Sequence, residues 1–348
     1  MRWKAMIEKL YKTNVLSRDE LIKLIEENIE KTDTKLLEAA NKTREKYYDK
    51  KVFFRGLIEL SNYCKNDCYY CGIRRSNDKA HRYRLTKEDI MNCCKNGYDL
   101  GFRTFVLQGG EDAYYTDEKV VEIVSHIKRE YPDCAITLSL GEKSFETYKK
   151  YYDAGADRYL LRHETATDEH YAKLHPPKMT FETRKQCLYD LKEIGFQTGA
   201  GLMVGSPYQT IENLADDLLF LKELNPEMVG IGPFIPHQDT PFAKEKPGTL
   251  EATIAIVAIT RLLLPKSLLP ATTALGTIDP LGREKGLQAG ANVVMPNLSP
   301  ISVRKDYSLY DNKICTNDEA AECRECISGR IMRTGFVPDL SRGDYFDI

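Results

Sequence analysis

The chain has 348 residues, of which 42% are hydrophobic and 29% are charged, and its formal net charge is −2. This is the composition of an ordinary globular protein, with enough residues for one large α/β domain or two smaller ones. The small net charge gives no general case for binding nucleic acid or a membrane surface, and no run of 18 apolar residues is present. Because the N-terminal residues also lack an apolar signal region, we expect a cytoplasmic protein.

The sequence predicts three parts. Residues 1–50 are predicted to form a helical extension, because Ser17 and Glu20 make a capping-box pattern and a second helical stretch runs from about Thr34 to Tyr48. Residues 51–300 alternate between strand and helix patterns and are predicted to form the main domain. Residues 301–348 are predicted to form a loop-rich C-terminal segment.

Eight strand patterns alternate with helical patterns in the main domain. They cover residues 53–60, 104–107, 135–138, 158–161, 198–204, 228–232, 269–274 and 292–295. Eight strand–helix units over about 240 residues match the length of a (β/α)8 barrel of the TIM type, and a doubly wound open sheet is the alternative. In a barrel the reactive groups gather on the loops that follow the strands, and the unusual polar motifs of this chain do follow predicted strands. This agreement favours the barrel.

The first such motif is a group of three cysteines after the first strand, in which Cys64, Cys68 and Cys71 have the spacing C-x3-C-x2-C. Three thiolates on one short loop suit a soft metal or an iron–sulfur centre. Three ligands on a cubane of four irons would leave one iron open to bind a substrate. A structural zinc loop is the alternative, but it needs a fourth ligand, and the nearest histidine is His81.

Further polar motifs follow the next strands. After the second strand, a pair of glycines precedes Glu111, so backbone carbonyls and a carboxylate can accept hydrogen bonds from an ammonium group. At the fourth strand, alternation places Arg158, Arg162 and Glu164 on one face. These three charges can form an inner salt-bridge network, or the two guanidinium groups can hold an anionic substrate.

The cysteine loop, with Tyr70 just before Cys71 and the Gly-Gly-Glu run after the next strand, resembles the radical S-adenosylmethionine (SAM) superfamily. The resemblance covers residues 50–345. Within the superfamily, the overall pattern resembles the biotin synthase-like branch. The run from Leu161 to Thr165, followed by the run from Tyr171 to Pro176, is most similar to the HydE family of [FeFe]-hydrogenase maturases and to the methylornithine synthase (PylB) family. The C-terminal cysteines favour the HydE family.

The resemblance implies a [4Fe-4S] cluster on the first three cysteines, with SAM bound to its open iron. Glu111 would then bind the amino group of SAM, Glu164 its ribose and Arg184 its carboxylate. The full set of expected cofactor-binding residues is Tyr70, Gln108, Gly109, Gly110, Glu111, Ser139, Glu164, Arg184 and Met203. The residues expected to meet the substrate are Arg158, Arg162, Thr272, Thr273 and Tyr310.

A second group of cysteines lies in the C-terminal segment. Cys315, Cys323 and Cys326 are predicted to bind an accessory [2Fe-2S] or [4Fe-4S] cluster near the surface, or a zinc ion with one borrowed ligand.

The resemblance implies a radical enzyme that reductively cleaves SAM to a 5′-deoxyadenosyl radical. The substrate would be a cysteine-bearing iron precursor of the hydrogenase H-cluster. Its partners would be a flavodoxin- or ferredoxin-type reductant and the other hydrogenase maturases. The alternatives are a methylornithine synthase-like lysine mutase, another biotin synthase-like enzyme, or an electron carrier that never cleaves SAM.

Overall fold

The computed structural model describes residues 2–317 and 319–345. Within these residues the strands are β1 (Lys51–Phe54), β2 (Gly56–Ser61), β3 (Thr104–Gly109), β4 (Ala135–Ser139), β5 (Arg158–Leu160), β6 (Gln197–Val204), β7 (Met228–Pro233), β8 (Val293–Val294) and β9 (Val337–Asp339). The helices are α1 (Arg2–Thr13), α2 (Arg18–Glu26), α3 (Thr34–Tyr48), α4 (Lys87–Asp99), α5 (Asp117–Glu130), α6 (Phe145–Asp153), α7 (Asp168–Leu174), α8 (Phe181–Ile194), α9 (Ile211–Leu224), α10 (Leu250–Leu263), α11 (Thr273–Ile278), α12 (Gly282–Gln288), α13 (Ile301–Arg304) and α14 (Ala320–Arg333).

The first three helices precede β1, in the stretch that the sequence predicted to be helical. The predicted capping box is confirmed, because the Ser17 side chain accepts a hydrogen bond from the Glu20 backbone and the Glu20 carboxylate accepts one from the Ser17 backbone. Helix α3 packs against α10, and α2 packs against α9. The extension therefore lies on the outer helical layer of the main domain.

The parallel strands follow one another around a core in the order expected of a TIM-type fold. Strands β2 to β7 form a six-stranded parallel sheet in chain order, and β8, β1 and β9 form a three-stranded one. Single bridges join the two sheets, from Met228 to Leu268, from Pro270 to Val293 and from Leu57 to Asn297. The strand order is that of a barrel, although no continuous ladder closes it among the described residues.

Two predicted strands differ from the structure. The seventh, at residues 269–274, is reduced to bridges, because Pro270 has no N–H to donate and Thr272 instead caps the N-terminus of α11. The first is divided at Arg55, because β1 pairs with β8 and β9 whereas β2 pairs with β3. Each half therefore serves a different sheet.

The C-terminal segment is more ordered than the sequence predicted. It contains the 14-residue helix α14, which starts at a capping box formed by Glu319 and Glu322. Strand β9 pairs in parallel with β1, from Lys51 with Val337 to Phe53 with Asp339. The segment is thus built into the base of the sheet, and the three-part division of the chain stays a prediction.

Strand alternation separates the core from the polar side of the six-stranded sheet. Ile58, Phe105 and Ile136 face outward into the apolar layer beneath the helices. Their neighbours Glu59 and Gln108 face the other side, where they line a cavity. Among the described residues, no helix has the length and apolar character that crossing a membrane requires.

Candidate active site

A cavity of about 350 Å³ lies at the C-terminal ends of the parallel strands. This is where the TIM-type fold places its reactive groups. Most residues that the sequence singled out line it: Cys64, Cys68, Tyr70, Cys71, Gln108, Gly109, Gly110, Glu111, Ser139, Glu164, Arg162, Arg184, Met203, Thr272, Thr273 and Tyr310. The structure brings these residues together from eight different segments of the chain.

The cysteine loop forms one wall of this cavity. It leaves β2 directly, and its backbone is held in place because Lys65 donates to the carbonyl of Glu111 at 2.9 Å. At the far end, Gly72 donates to the carbonyl of Leu309 at 2.9 Å, and a Cβ at position 72 would overlap the carbonyl oxygen of Ser308. The C-terminal segment therefore packs so closely on the loop that a glycine is required there.

The surroundings of the three thiols suit metal ligands better than free nucleophiles. Burial, followed by the charge of Cys64, raises the pKa of the Cys71 thiol to about 12. Burial also raises the pKa of Cys64 and that of Cys68. Thiols in such surroundings are inert unless a metal replaces their protons.

Tyr70 is fixed beside the cysteines by an aromatic contact. Its hydroxyl lies 3.2 Å from Nε2 of His175, and the two rings meet edge to face with centroids 5.4 Å apart. His175 in turn stacks on Tyr171 at 3.9 Å. This buried stack attaches the cysteine loop to α7.

The donor set of this wall consists of thiols. Cys64, Cys68 and Cys71 all line the cavity from one short loop. Thiolates are the ligands that hold iron–sulfur clusters in proteins, so the three side chains fit such a cluster.

Charged groups line the opposite side of the cavity. Arg162 lies 3.1 Å from Glu164, and Nε of Arg162 is buried with no hydrogen-bond partner. Arg184 donates to the carbonyl of Arg162 at 2.7 Å and to Glu142 at 2.5 Å. Glu164 has a φ of +67°, a left-handed conformation that costs about 1–3 kcal/mol in a non-glycine residue. Such strain is typical of a residue that must direct its side chain at a ligand.

Arg158 does not reach the cavity. It stands at the opposite end of β5, fully buried, where its guanidinium lies 2.6 Å from Asp344 and donates to the carbonyl of Arg342 at 2.8 Å. It also donates to Thr104 at 3.2 Å. The sequence predicted the face of the strand correctly, but the role of Arg158 is corrected from substrate contact to fixing the C-terminal residues.

Comparison with known proteins decides the family. A model of the radical SAM superfamily matches residues 58–258 of this chain. The chain belongs to the radical SAM superfamily. This radical SAM protein is 47% identical over 343 residues to the [FeFe] hydrogenase maturase subunit HydE of Thermotoga maritima, with 99% of this chain and 97% of that one covered.

A second group of relatives is more distant. The radical SAM protein is 34% identical over 313 residues to the 3-methylornithine synthase of Methanosarcina acetivorans, which covers 89% of this chain and 88% of that one. The solved structure of a methylornithine synthase (PylB) has a TM-score of 0.82 to it at 28% identity, covering 96% of this chain and 97% of that one. The chain is therefore a radical SAM enzyme with the fold of this branch.

Membership of the superfamily implies a [4Fe-4S] cluster and SAM, and the cavity of this radical SAM enzyme fits both. The three cysteines share one loop at its edge. Glu111 is 7% exposed, and its ion-pair partner among the described residues is Lys65, which is itself 61% exposed. The left-handed Glu164 and the unpartnered Nε of Arg162 supply further polar atoms. The ammonium of a small zwitterionic ligand could pair with a carboxylate of the cavity such as Glu111, and its carboxylate could pair with a guanidinium such as that of Arg162.

Two charged residues of the cavity were not predicted from the sequence. Glu59 and Lys313 line it as an ion pair at 2.6 Å, although they are 254 positions apart. Lys313 belongs to the stretch 306–313, which also brings Tyr307 to within 3.2 Å of Gln108. Alternation on β2 indicated an inward Glu59, but no local pattern predicts a partner so far along the chain.

The second cysteine group lies behind one wall of the cavity of this radical SAM enzyme. Cys323 is buried on α14, Cys326 is exposed one turn later, and Cys315 precedes the helix with a φ of +61°. A small void of about 20 Å³ lined by Cys315, Cys323, Thr273 and Lys313 adjoins the main cavity. The expected position near the surface thus holds for Cys326 and not for Cys323.

Proposed function

We propose that this radical SAM enzyme is a maturase of the HydE type, which acts on a cysteine-bearing iron precursor during assembly of the [FeFe]-hydrogenase H-cluster. The observation that carries the proposal is the 47% identity to HydE over almost the whole chain. The matched region covers 99% of this chain and therefore spans the segments that line the cavity.

The residues at the edge of the cavity would hold the cofactors. In this proposal Cys64, Cys68 and Cys71 bind the cluster. Glu111 accepts hydrogen bonds from the ammonium of SAM, and Arg184 pairs with its carboxylate. Gln108, Gly109, Gly110, Ser139 and Met203 complete the walls around it. When bound and reduced, the two cofactors supply a 5′-deoxyadenosyl radical by one-electron cleavage of the C5′–S bond of SAM.

The deeper part of the cavity would hold the substrate. Arg162 offers a guanidinium with a free Nε to a carboxylate or another anionic ligand. The cavity is also lined by Thr272, Thr273 and Tyr310, which carry hydroxyl groups. Tyr307, Leu309 and Lys313 of the stretch 306–313 form part of its wall and would shield a bound radical from some of the surrounding water.

The remaining parts of the proposal concern partners. A flavodoxin- or ferredoxin-type reductant would deliver the electron, and the other hydrogenase maturases would supply the substrate and receive the product. Cys315, Cys323 and Cys326 would bind an accessory [2Fe-2S] or [4Fe-4S] cluster. A cytoplasmic location would keep all these thiols reduced.

Methylornithine synthase activity is the second candidate, and the fold similarity to PylB favours it. A lysine mutase must bind two ammonium groups, so it needs carboxylates that are free to accept them. Glu59, the most buried of the described carboxylates that line the cavity, is already paired with Lys313. This contact is a reason to rank the maturase first.

An anaerobic assay tests the proposal directly. Reconstituted, dithionite-reduced protein is examined by EPR with and without SAM, and 5′-deoxyadenosine is measured in the same sample. We expect a cubane signal that SAM shifts, together with deoxyadenosine. The protein is then added to a hydrogenase maturation mixture that lacks HydE. Restored hydrogenase activity is the expected result, and SAM cleavage without restored maturation would reject the HydE assignment while keeping the radical enzyme.

A further inference from the structure

A buried ion pair stands in the cavity where no SAM-binding role is assigned. Nζ of Lys313 lies 2.6 Å from Oε1 of Glu59 and 2.9 Å from the carbonyl of Tyr307. The other oxygen of Glu59 accepts a hydrogen bond from Asn297 at 2.8 Å. The side chains of Glu59 and Lys313 are only 1% and 12% exposed. Both oxygens of this carboxylate are therefore occupied by the protein itself.

The other two carboxylates in the described cavity wall are held more loosely. The partner of Glu111 is Lys65, whose side chain is 61% exposed, and the partner of Glu164 is Arg162, which is 33% exposed. The exposed Lys65 can turn into solvent when a ligand ammonium takes its place at Glu111, and Oε2 of Glu164 accepts no hydrogen bond from the described residues. Lys313 cannot do so. If its ammonium left Glu59, it would remain buried with the carbonyl of Tyr307 as its single described acceptor, which costs free energy. Glu59 is thus closed to a ligand in a way that the other two carboxylates are not.

The ion pair has a direct consequence for substrate choice. A diamino acid such as lysine carries one ammonium more than a simple amino acid, and each buried ammonium needs an acceptor. A buried site that lacks the matching polar group rejects the extra charge strongly. Removing the Lys313 side chain would leave the Glu59 carboxylate available to accept that second ammonium.

We propose that Lys313 is a specificity-determining residue, which occupies Glu59 and so restricts the cavity to amino-acid-derived substrates that have no second ammonium. This inference deepens the proposed function and rests on it for the position of the substrate. The accepted class carries a carboxylate or other anionic ligand for Arg162 and a side chain that is neutral or anionic towards Glu59.

Binding of two matched amino acids tests this inference. L-Lysine and L-norleucine have side chains of similar length and differ in the terminal ammonium. Their dissociation constants are measured by anaerobic calorimetry with the cluster-loaded protein and SAM present. In the unaltered protein we expect lysine to bind no more tightly than norleucine. In K313M we expect lysine affinity to rise at least tenfold while norleucine affinity changes less than threefold.

A double variant supplies the control. In E59Q/K313M the acceptor is lost together with the cation, so the gain for lysine should disappear. If K313M does not fold, K313Q keeps a donor for the Tyr307 carbonyl and takes its place. The proposal is overturned if the folded single variant shows no gain for lysine, or if the unaltered protein already prefers lysine by tenfold. Failure of the maturation assay rejects the HydE assignment by a separate readout, since these affinities need no turnover.

Discussion

Arg158, at the start of β5, and Arg162, just beyond its end, are four positions apart in the sequence, yet their surroundings differ completely. Arg158 is fully buried at the start of β5 and is paired with Asp344 at 2.6 Å. Arg162 follows the end of the strand, is 33% exposed, and has a free Nε at the cavity. At one end of the sheet, the guanidinium of Arg158 binds the C-terminal residues. At the other end, part of the guanidinium of Arg162 has no hydrogen-bond partner and is available to a ligand.

The difference shows that the position of a charged residue along the strand, as well as the face on which it lies, decides whether it forms a structural ion pair or lines the cavity. The N-terminal ends of the strands are covered by residues 342–345, which accept hydrogen bonds from Arg158 and donate one to Gln197. At the C-terminal ends the charged groups face a cavity of about 350 Å³. Three predictions test this contrast between a structural end and a reactive end.

The largest effect is expected from the cysteine loop at the reactive end. In C71A, one cluster ligand is lost, so we expect SAM cleavage to fall by at least roughly 10³-fold, because the chemistry belongs to the cofactor. Iron content and 5′-deoxyadenosine formation measure this. The exposed Cys326 provides the control, and C326S should retain SAM cleavage within about twofold and its free energy of unfolding within about 0.5 kcal/mol. Equal losses in the two variants would contradict the assignment.

The two arginines themselves provide the second test. R162A should lower maturation activity by about 10- to 100-fold, the value of one charged hydrogen bond to a substrate, and should leave the free energy of unfolding nearly unchanged. R158A should lower the free energy of unfolding by about 2–4 kcal/mol, because a buried ion pair is broken. Its activity per folded molecule should stay within about twofold. Urea denaturation and the maturation assay separate these outcomes.

A surface arginine at the structural end is the matched control for R158A. Arg103 pairs with Asp133 at 2.8 Å, and the two side chains are 30% and 49% exposed. R103A should therefore cost less than about 1 kcal/mol. If R158A proved as harmless as R103A, or if R158A lost activity while remaining stable, the contrast between the two ends would fail.

The smallest effect concerns pH, where the two ends should respond in different ranges. Burial, and then the positive charge of Arg184, lower the pKa of His175 at the reactive end to about 3. In the unfolded state the imidazole of His175 takes up a proton near pH 6.5, whereas in the folded state it stays neutral until about pH 3. Protonation therefore favours the unfolded state, and the free energy of unfolding decreases as the pH falls below 6.5. We expect the free energy of unfolding at pH 5 to lie about 2 kcal/mol below that at pH 7 from this residue.

The structural end should not contribute in that range. Burial raises the pKa of Asp344, but the hydrogen bond from Arg342 and the charge of Arg158 outweigh it and hold the pKa below its usual value of 3.8. Its stabilisation is therefore present above pH 3.8 and lost only in stronger acid. H175Q should flatten the decline between pH 7 and pH 5, and D344N should not. Denaturation series at several pH values measure both, and the reverse pattern would refute the assignment.

Much of the site could be predicted because its signals are local. The cysteine spacing, the Gly-Gly-Glu run and the alternation at β5 each involve residues close in sequence, and each directs side chains to a place that the strand order fixes. Thr272 shows that a wrong element can still give the right position. It caps a helix instead of lying in a strand, but the chain passes the cavity at that point in either case.

The rest depends on contacts between distant parts of the chain. The sequence around Glu59 does not predict its contact with Lys313. The sequence around Arg158 likewise does not predict its contact with Asp344, which lies 186 positions later. Helix α14 was missed because the cysteines on it suggested a ligand loop, and its capping residue is Glu319, which is an uncommon choice. Pairings of this kind are set by the folded backbone and not by local pattern.

The C-terminal segment supplies the counter-charges for both ends of the sheet, and this has a consequence for the order of events during synthesis. A ribosome releases the cysteine loop, β2 to β7 and both arginines before Lys313 and Asp344 exist. The nascent sheet thus carries unmatched charges, and the mouth beside the cysteine loop stays uncovered until residues 306–313 emerge. Lys313 and Asp344 both belong to the last part of the chain, so the two ends of the sheet gain these partners in the same late stage of synthesis.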